Sequence, residues 1–329
     1  MSIFDVAMVG RLGPEALAAT GMGGMLVWAP MSIALGIRTA VQTVSSRRLG
    51  QNKEIDSGLA FHNGLIMAAV FSLPVTCLGW VSASEIVPFF LNDPTTISLA
   101  IEYTSIVFIS LFFSVFSFVF VGFYTGVEKT RIHMTVTITS NLINLYLNAA
   151  LIYGSEGVES FFRDIVPSLS FLSAIWGWAS FPAMGVKGAA LATLAASVWM
   201  VFHYFLYLFS KDIKARFGIF SFSYNQEMMQ RQLKLALPMG IQECIIAFGW
   251  TFFLKVVGII GVVELATTHI IFTIMHASFM PAMGVGMACS TLVSKYMGEK
   301  KLSKSVSSIK ESVRLAEYGM GLLGFSFIL

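Results

Sequence analysis

The chain has 329 residues, of which 56% are apolar and only 12% charged, and its mean hydropathy is +0.77. An ordinary soluble domain carries about twice that charged fraction, so a water-soluble fold is excluded. Nucleic-acid binding is excluded with it, because most of the chain must be buried in lipid. The net charge of +3 says little by itself.

Apolar runs long enough to cross ~30 Å of hydrocarbon recur along the chain. They predict spans over residues 1–12 (partial), 17–46, 58–80, 97–127, 132–153, 184–210, 235–257, 263–294 and 307–329 (partial). The opening Met-Ser-Ile-Phe-Asp lacks the basic region and cleavage site of a secretory signal, and both ends read as cut inside a span. The connections alternate in charge. Arg47, Arg48 and Lys53 follow the second span, Lys129 and Arg131 the fourth, Lys211 to Lys234 the sixth, and Lys295 to Arg314 the eighth, together holding 16 of the 21 basic residues. The opposite connections, around 81–96 and 258–264, have none. By the positive-inside rule the basic loops are cytoplasmic and the chain begins inside. Residues 155–183 interrupt the pattern on the outer side with Glu156, Glu159, Arg163 and Asp164, then Trp176, Trp178 and Pro182. This insertion reads either as an external lid or as an interfacial helix with headgroup-level tryptophans.

Residues 9–57 and 257–305 align without a gap at an offset of 248, with 15 of 49 pairs identical, among them Gly36/Gly284, Ser46/Ser294 and Gly50/Gly298. The copies start six spans apart, an even number, so they insert with the same orientation and form parallel repeats. Such repeats mark two-lobed secondary transporters. The expected organisation is a six-helix lobe over 1–210, a cytoplasmic linker over 211–233 and a partial second lobe over 234–329. Carried on by the same offset, the second lobe would run to about residue 458, so the chain reads as a fragment that does not itself transport.

Asp5 lies about six residues, or ~9 Å of helix, from the outer end of the first span. A carboxylate at that depth costs a few kcal/mol on insertion scales and faces a cavity or a partner; the alternative is a helix-packing aspartate. Asn144 and Asn148 share a face one turn apart, either as carbonyl donors to a cation or as inter-helix hydrogen bonds. Gly185, Ala189, Thr193 and Ser197 form a small-residue stripe, mainly a close-packing face, from which Thr193 could reach a site. Glu243 and Arg38 are secondary candidates; Arg38 either snorkels inward or pairs with a carboxylate. Lys255 is expected to snorkel to the outer interface. His269 and His276, seven apart, do not have metal-ligand spacing and read as satisfied inter-helix groups. Pro238 and Pro281 mark hinge positions. The three cysteines, all in apolar runs, read as packing residues. No phosphate-binding glycine loop, HExxH or Gly-x-Ser-x-Gly occurs, and Asp5 has no second carboxylate for an intramembrane protease, so no enzyme is expected.

The segment Asp5-Val-Ala-Met-Val-Gly-Arg-Leu-Gly-Pro-Glu-Ala-Leu-Ala-Ala resembles the end of the first helix of multidrug and toxic compound extrusion (MATE) transporters. Gly36 to Gly50 resembles the end of the second helix, Leu237-Pro238-Met239-Gly240 the seventh, and Ala266 to Gly298 the eighth. Gly126 to Arg131 and Gly185 to Thr193 also fit, so the resemblance covers nearly all of the chain outside 155–183. It implies an all-α integral membrane fold of two six-helix lobes, with about nine of twelve transmembrane helices present. It also implies export of cationic or amphipathic compounds by antiport with H⁺ or Na⁺, with Asp5 as the carboxylate of an N-lobe cation site and Asn144, Asn148, Ala189 and Thr193 as its partners. Many prokaryotic members carry an aspartate where this chain has Asn148; losing one carboxylate weakens the expectation of Na⁺ and favours protons. A glutamate used by a second branch falls at Ile246, so Glu243 does not inherit that role. The expected setting is the inner membrane, with the lipid bilayer and small substrates as partners, no further cofactor, and a monomeric full-length parent. The rivals are a lipid-linked precursor flippase of the same superfamily, which would want a strongly basic cavity where this chain offers only Arg38, and a non-transporting membrane protein from a truncated gene.

Overall fold

In the computed structural model, residues 3–91, 93–165, 173, 175–177, 179–260 and 262–326 are described. Long helices dominate them: α1 Ile3–Val9, closed by a 3₁₀ turn at Gly10–Leu12, α2 Pro14–Gly50, α3 Glu54–Phe90, α4 Pro94–Gly126, α5 Thr130–Ile165, α6 Gly185–Leu208, α7 Lys211–Phe217, α8 Gln226–Ile260, α9 Val262–Gly298 and α10 Leu302–Ser326. No strand occurs among the described residues. Helices α2 to α6 are each long and apolar enough to cross a membrane. At 37 residues, α2 and α3 extend about 55 Å, well beyond a hydrocarbon core of ~30 Å. Pro238 and Pro281 lie inside continuous helices. Among the residues expected to matter, the side chains of Arg163, Asp164, Lys255, His269 and His276, and all of Trp178, lie outside the described residues.

Helix ends follow from local chemistry. Asp93 caps α4, its Oδ2 accepting from the backbone N–H and the hydroxyl of Thr96, both at 2.7 Å. These bonds hold the Asp93 carboxyl below its ordinary value, the backbone one most. Pro94, just inside the helix, gives up no hydrogen bond there. Gly154 breaks α5, with φ 73° and ψ 171°, a conformation strained for any residue with a Cβ. The predicted end of that span, residue 153, falls on this break. Beyond it, Ser155 N donates to Phe181 O (3.1 Å) and Met184 N to Leu151 O (2.8 Å), which folds the described part of the 155–183 insertion back along α5. Trp176 stacks on Tyr146 at 5.2 Å and donates its indole N–H to the Tyr146 carbonyl at 3.0 Å.

The chain packs as two compact units. The first contains Met1–Met31, Met67–Phe118 and Arg131–Tyr207. Ala19, Val87 and Ala100 form one of its buried clusters, flanked by Leu26 and Ile97. Gly188 sits against the Leu151 backbone, so α5 and α6 approach at a separation that a Cβ would prevent. An ion pair of 3.0 Å between Lys187 and Glu102 ties the start of α6 to α4.

The second unit contains Ser32–Ile66, Val119–Thr130 and Leu208–Leu329. Within it, α2 and α9 meet near their C-terminal ends. A methyl group on Gly50 would overlap the carbonyl oxygen of Lys295, and one on Gly298 would overlap that of Arg47. Gly50 and Gly298 are equivalent at the 248-residue offset, and so are Arg47 and Lys295. The contact is therefore the same on both sides, as at a two-fold axis. Gln42 adds bonds to Thr291 Oγ1 (2.9 Å) and Met287 O (3.0 Å), and Lys295 pairs with Glu128 at 2.8 Å.

The segment expected as the linker, 211–233, carries helical structure at both ends. It begins with α7, whose last residue precedes Gly218 at φ +58°, and α8 starts at Gln226, eight residues before 234. Asn225 supplies the missed start signal, its Oδ1 accepting from Met228 N at 2.9 Å. Residues 218–225 are bound to α3: His62 Nε2 meets Ile219 O at 2.7 Å and Asn63 Nδ2 donates to Asn225 O at 2.9 Å.

Candidate functional site

Helix α1 is short because Gly13, at φ +117°, turns the chain into α2. Tyr153 pins α1 to α5, its hydroxyl donating to Met8 O at 2.5 Å. The pinning places Asp5, 5% exposed, beside Asn148, which is fully buried. Asn148 Nδ2 donates to Asp5 Oδ1 at 2.5 Å and to Asn144 Oδ1 at 3.1 Å. A charged carboxylate accepting from an amide makes a hydrogen bond about twice as strong as a neutral one. Asn148 Oδ1 is itself buried and has no hydrogen-bond partner among the described residues.

Asp5 and Asn144 of this cluster, with Asn148 behind them, line a cavity of about 240 Å³ within the first unit, together with Trp28, Tyr103, Asn141 and Thr193 among others. Ser140 also lines it, and its buried hydroxyl has no partner among the described residues. The space suits several waters or a small organic group. Its aromatic wall and single carboxylate suit a cation.

The expected site residues divide. Asp5, Asn144 and Asn148 come together. Thr193 lines the cavity, but its hydroxyl donates back along its own helix to Ala189 O at 3.0 Å. Ala189 is buried, and its described polar contact is that carbonyl. Arg38 and Glu243 belong to the second unit and are not among the cavity-lining residues. Arg38 Nη2 lies 2.8 Å from Met287 Sδ, a contact outside both expectations for it. Sequence reasoning did not name Tyr103, Trp28 or Ser140. An aromatic or serine inside an apolar span gives no sign of which way it points until the neighbouring helices are placed.

An all-helical membrane protein, with a buried carboxylate beside a polar cavity, is the class that this fold and site define. The MatE family profile matches residues 1–150 and 238–328, more than half of the chain, and the chain belongs to that family of membrane transporters. It is similar to the probable multidrug resistance protein NorM of Thermotoga maritima, 25% identical over 298 residues that cover 89% of this chain and 58% of that protein. NorM of Burkholderia vietnamiensis is 23% identical over 308 residues, 91% of this chain and 59% of its own length. The chain thus spans under two thirds of the length of these relatives. Among solved structures, the fold matches an outward-facing multidrug resistance MATE family transporter of the MOP superfamily with a TM-score of 0.83 and 22% identity, over 98% of this chain and 66% of that one. A MOP superfamily transporter from Pyrococcus furiosus gives the same TM-score and identity, over 99% and 66%.

Proposed function

We propose that this chain is part of an efflux antiporter that exports cationic or amphipathic compounds, with H⁺ or Na⁺ as the coupling ion and Asp5 as the coupling carboxylate. The observation that carries the reading is the hydrogen-bonded Asp5–Asn148–Asn144 cluster at the cavity, in which Asp5 and Asn148 are buried. A lone ionised carboxylate in a lipid-embedded bundle costs about 2.5–3.5 kcal/mol on insertion scales, a cost offset here by the amide of Asn148. One negative charge in one cavity means that a proton on Asp5 and a cationic substrate compete. Protonation removes the charge that attracts the substrate and so favours its release; deprotonation restores it. Na⁺ would instead require the Asn148 amide to turn its free Oδ1 toward the ion. The multidrug resistance names of the relatives support the substrate class.

In this reading the basic loops are cytoplasmic, the membrane is the inner one, and about nine of twelve spans are present in two lobes that rock in alternating access, joined by 211–233 and working as a monomer. A flippase for lipid-linked precursors has less support, since the charged residue lining the cavity is the acidic Asp5. The test is Asp5→Asn in a chain completed to the length of its relatives. Drug efflux should be abolished while membrane expression stays at the parent level. Full efflux by that variant would remove Asp5 from the mechanism.

A further inference from the structure

Asp5 is not an isolated polar group: it stands at one end of a polar line that runs along the first half of α5. His133, Thr137, Asn141, Asn144 and Asn148 are spaced four, four, three and four residues apart. At 100° per residue they fall within an arc of about 80° and span about 22 Å of helix. Met134, Ile138 and Leu142 fall on the flank beside this arc and are exposed as lipid-facing groups would be, and Asn141, at the edge of the arc, is exposed as well. Polar groups in a bilayer are expensive, and five on one face call for a function.

The hydrogen bonds connect this line at both ends. Asp5, Asn148 and Asn144 are joined as described above. At the far end, Asn141 Nδ2 donates to Thr137 O at 2.8 Å, Thr137 Oγ1 lies 3.2 Å from His133 Nδ1, and His133 Nδ1 lies 2.6 Å from the hydroxyl of Tyr204 on α6. The two sections stop at Asn144 and Asn141, and both of those residues line the 240 Å³ cavity. The break in the chain of bonds is thus a space with room for several waters. His133 lies two residues from Arg131, at the basic-loop end of α5.

We propose that the α5 line is a proton path between Asp5 and the basic-loop side, with Thr137 and His133 as its relay groups. The inference rests on the reading of Asp5 as the coupling carboxylate. The asparagine amides and the Tyr204 hydroxyl orient and solvate; the protons that move are those of the carboxyl, cavity water, the Thr137 hydroxyl and the His133 imidazole. A proton leaves the Asp5 carboxylic acid for cavity water. Thr137 is not among the cavity-lining residues, so the transfer passes by water along one helical turn from Asn141 to its hydroxyl. Thr137 passes its own proton to Nδ1 of His133, and the imidazole gives up a different proton from Nε2 to the loop side. One proton leaves Asp5 and one emerges, and each relay group returns to its starting composition. The groups of α6 around this end are Tyr204, His203 and Tyr207. His203 is engaged with Thr139 at 2.9 Å and stacked on Tyr207. Helix α6 carries no acidic residue to trap the proton on His133.

The experiment uses the completed chain in proteoliposomes, following proton movement with a pH-sensitive dye and binding of a fluorescent cationic drug. His133→Ala and Thr137→Val should each slow drug-coupled proton movement at least tenfold with drug affinity unchanged. Thr137→Ser should restore the parent rate, and imidazole added on the loop side should restore at least half of it in His133→Ala. Parent rates in both slow-path variants, with Asp5→Asn inactive, would overturn the path while leaving the role of Asp5 intact. Slow variants that imidazole does not rescue and that bind drug poorly would assign these residues to packing, and the path would fail. An active Asp5→Asn would sink the underlying reading instead.

Discussion

Asn148 is the residue on which the site turns. Its amide satisfies Asp5 in the buried cluster, and its own carbonyl oxygen has no described partner. Asn148→Ala removes a charge-assisted bond, so it should destabilise the purified protein by about 1.5–3 kcal/mol, read as a fall in melting temperature. Asn148→Asp adds a second carboxylate next to Asp5. Two carboxylates at one site attract a hard monovalent cation strongly, so this variant should gain a Na⁺-dependent rise in melting temperature larger than that of the parent. An equal response in both would mean that the amide already serves as a full Na⁺ ligand. The carboxylate and both asparagines were legible in the sequence because a charge or amide inside an apolar run is rare enough to stand out. Spacing gave Thr193 a close-packing face and the family resemblance implied its place at the site; it lines the cavity, but its hydroxyl donates to Ala189 O. Sequence cannot distinguish a serine or threonine that bonds back along its own helix from one that reaches across.

At the scale of elements, the apolar runs located the long helices, most ends to within about four residues, but the prediction stopped ten residues before the end of α3 and began nine residues after the start of α8. Polar end residues continue a helix beyond the hydrocarbon, as Glu54 does at the start of α3 and Arg47 and Arg48 do at the end of α2. Hydropathy reads membrane depth, whereas a helix ends at its cap. The local order of the 211–233 segment could not be read from hydropathy, because the clasp formed by His62 and Asn63 comes from a helix some 160 residues away. Helix α7 is held by Lys129 to Asp212 at 2.6 Å and by Arg216 to Glu54. The bond to Lys129 holds the Asp212 carboxyl below its ordinary value, and the bond to Glu54 raises Arg216 above its own. A depressed carboxyl contributes stability above its ordinary value and loses it as the pH falls through the lowered one. Both partners are partly exposed, so the pair contributes at most about 1 kcal/mol. Amide exchange in α7, corrected for intrinsic rate, should therefore quicken modestly between pH 6 and pH 3, and Asp212→Asn should show the quicker exchange already at pH 6. Exchange that ignores both changes would show that α7 is held by Ile213 and Phe217 alone, both of which are buried.

For the whole molecule, the repeat was the most informative feature of the sequence, and the glycine contact between α2 and α9 gives it a physical form. Two backbones touch where neither can carry a Cβ, and each glycine rests on the residue three before its counterpart. Methyl insertion into such a contact forces the helices apart and typically costs about 1–3 kcal/mol. Gly50→Ala and Gly298→Ala should each lower the melting temperature, and by similar amounts. The two glycines guard a single separation, however, and that has a consequence for how their effects combine. Once the first methyl has pushed the helix ends apart, the second meets a gap already widened. Gly50→Ala with Gly298→Ala should then cost well under the sum of the single changes, with a coupling of about 1 kcal/mol or more in a double-mutant cycle. Additive costs would mean that each glycine fills a local niche of its own. Non-additive ones would mean that the two halves of the repeat share one degree of freedom at this end, so that either half can open or close it on behalf of both.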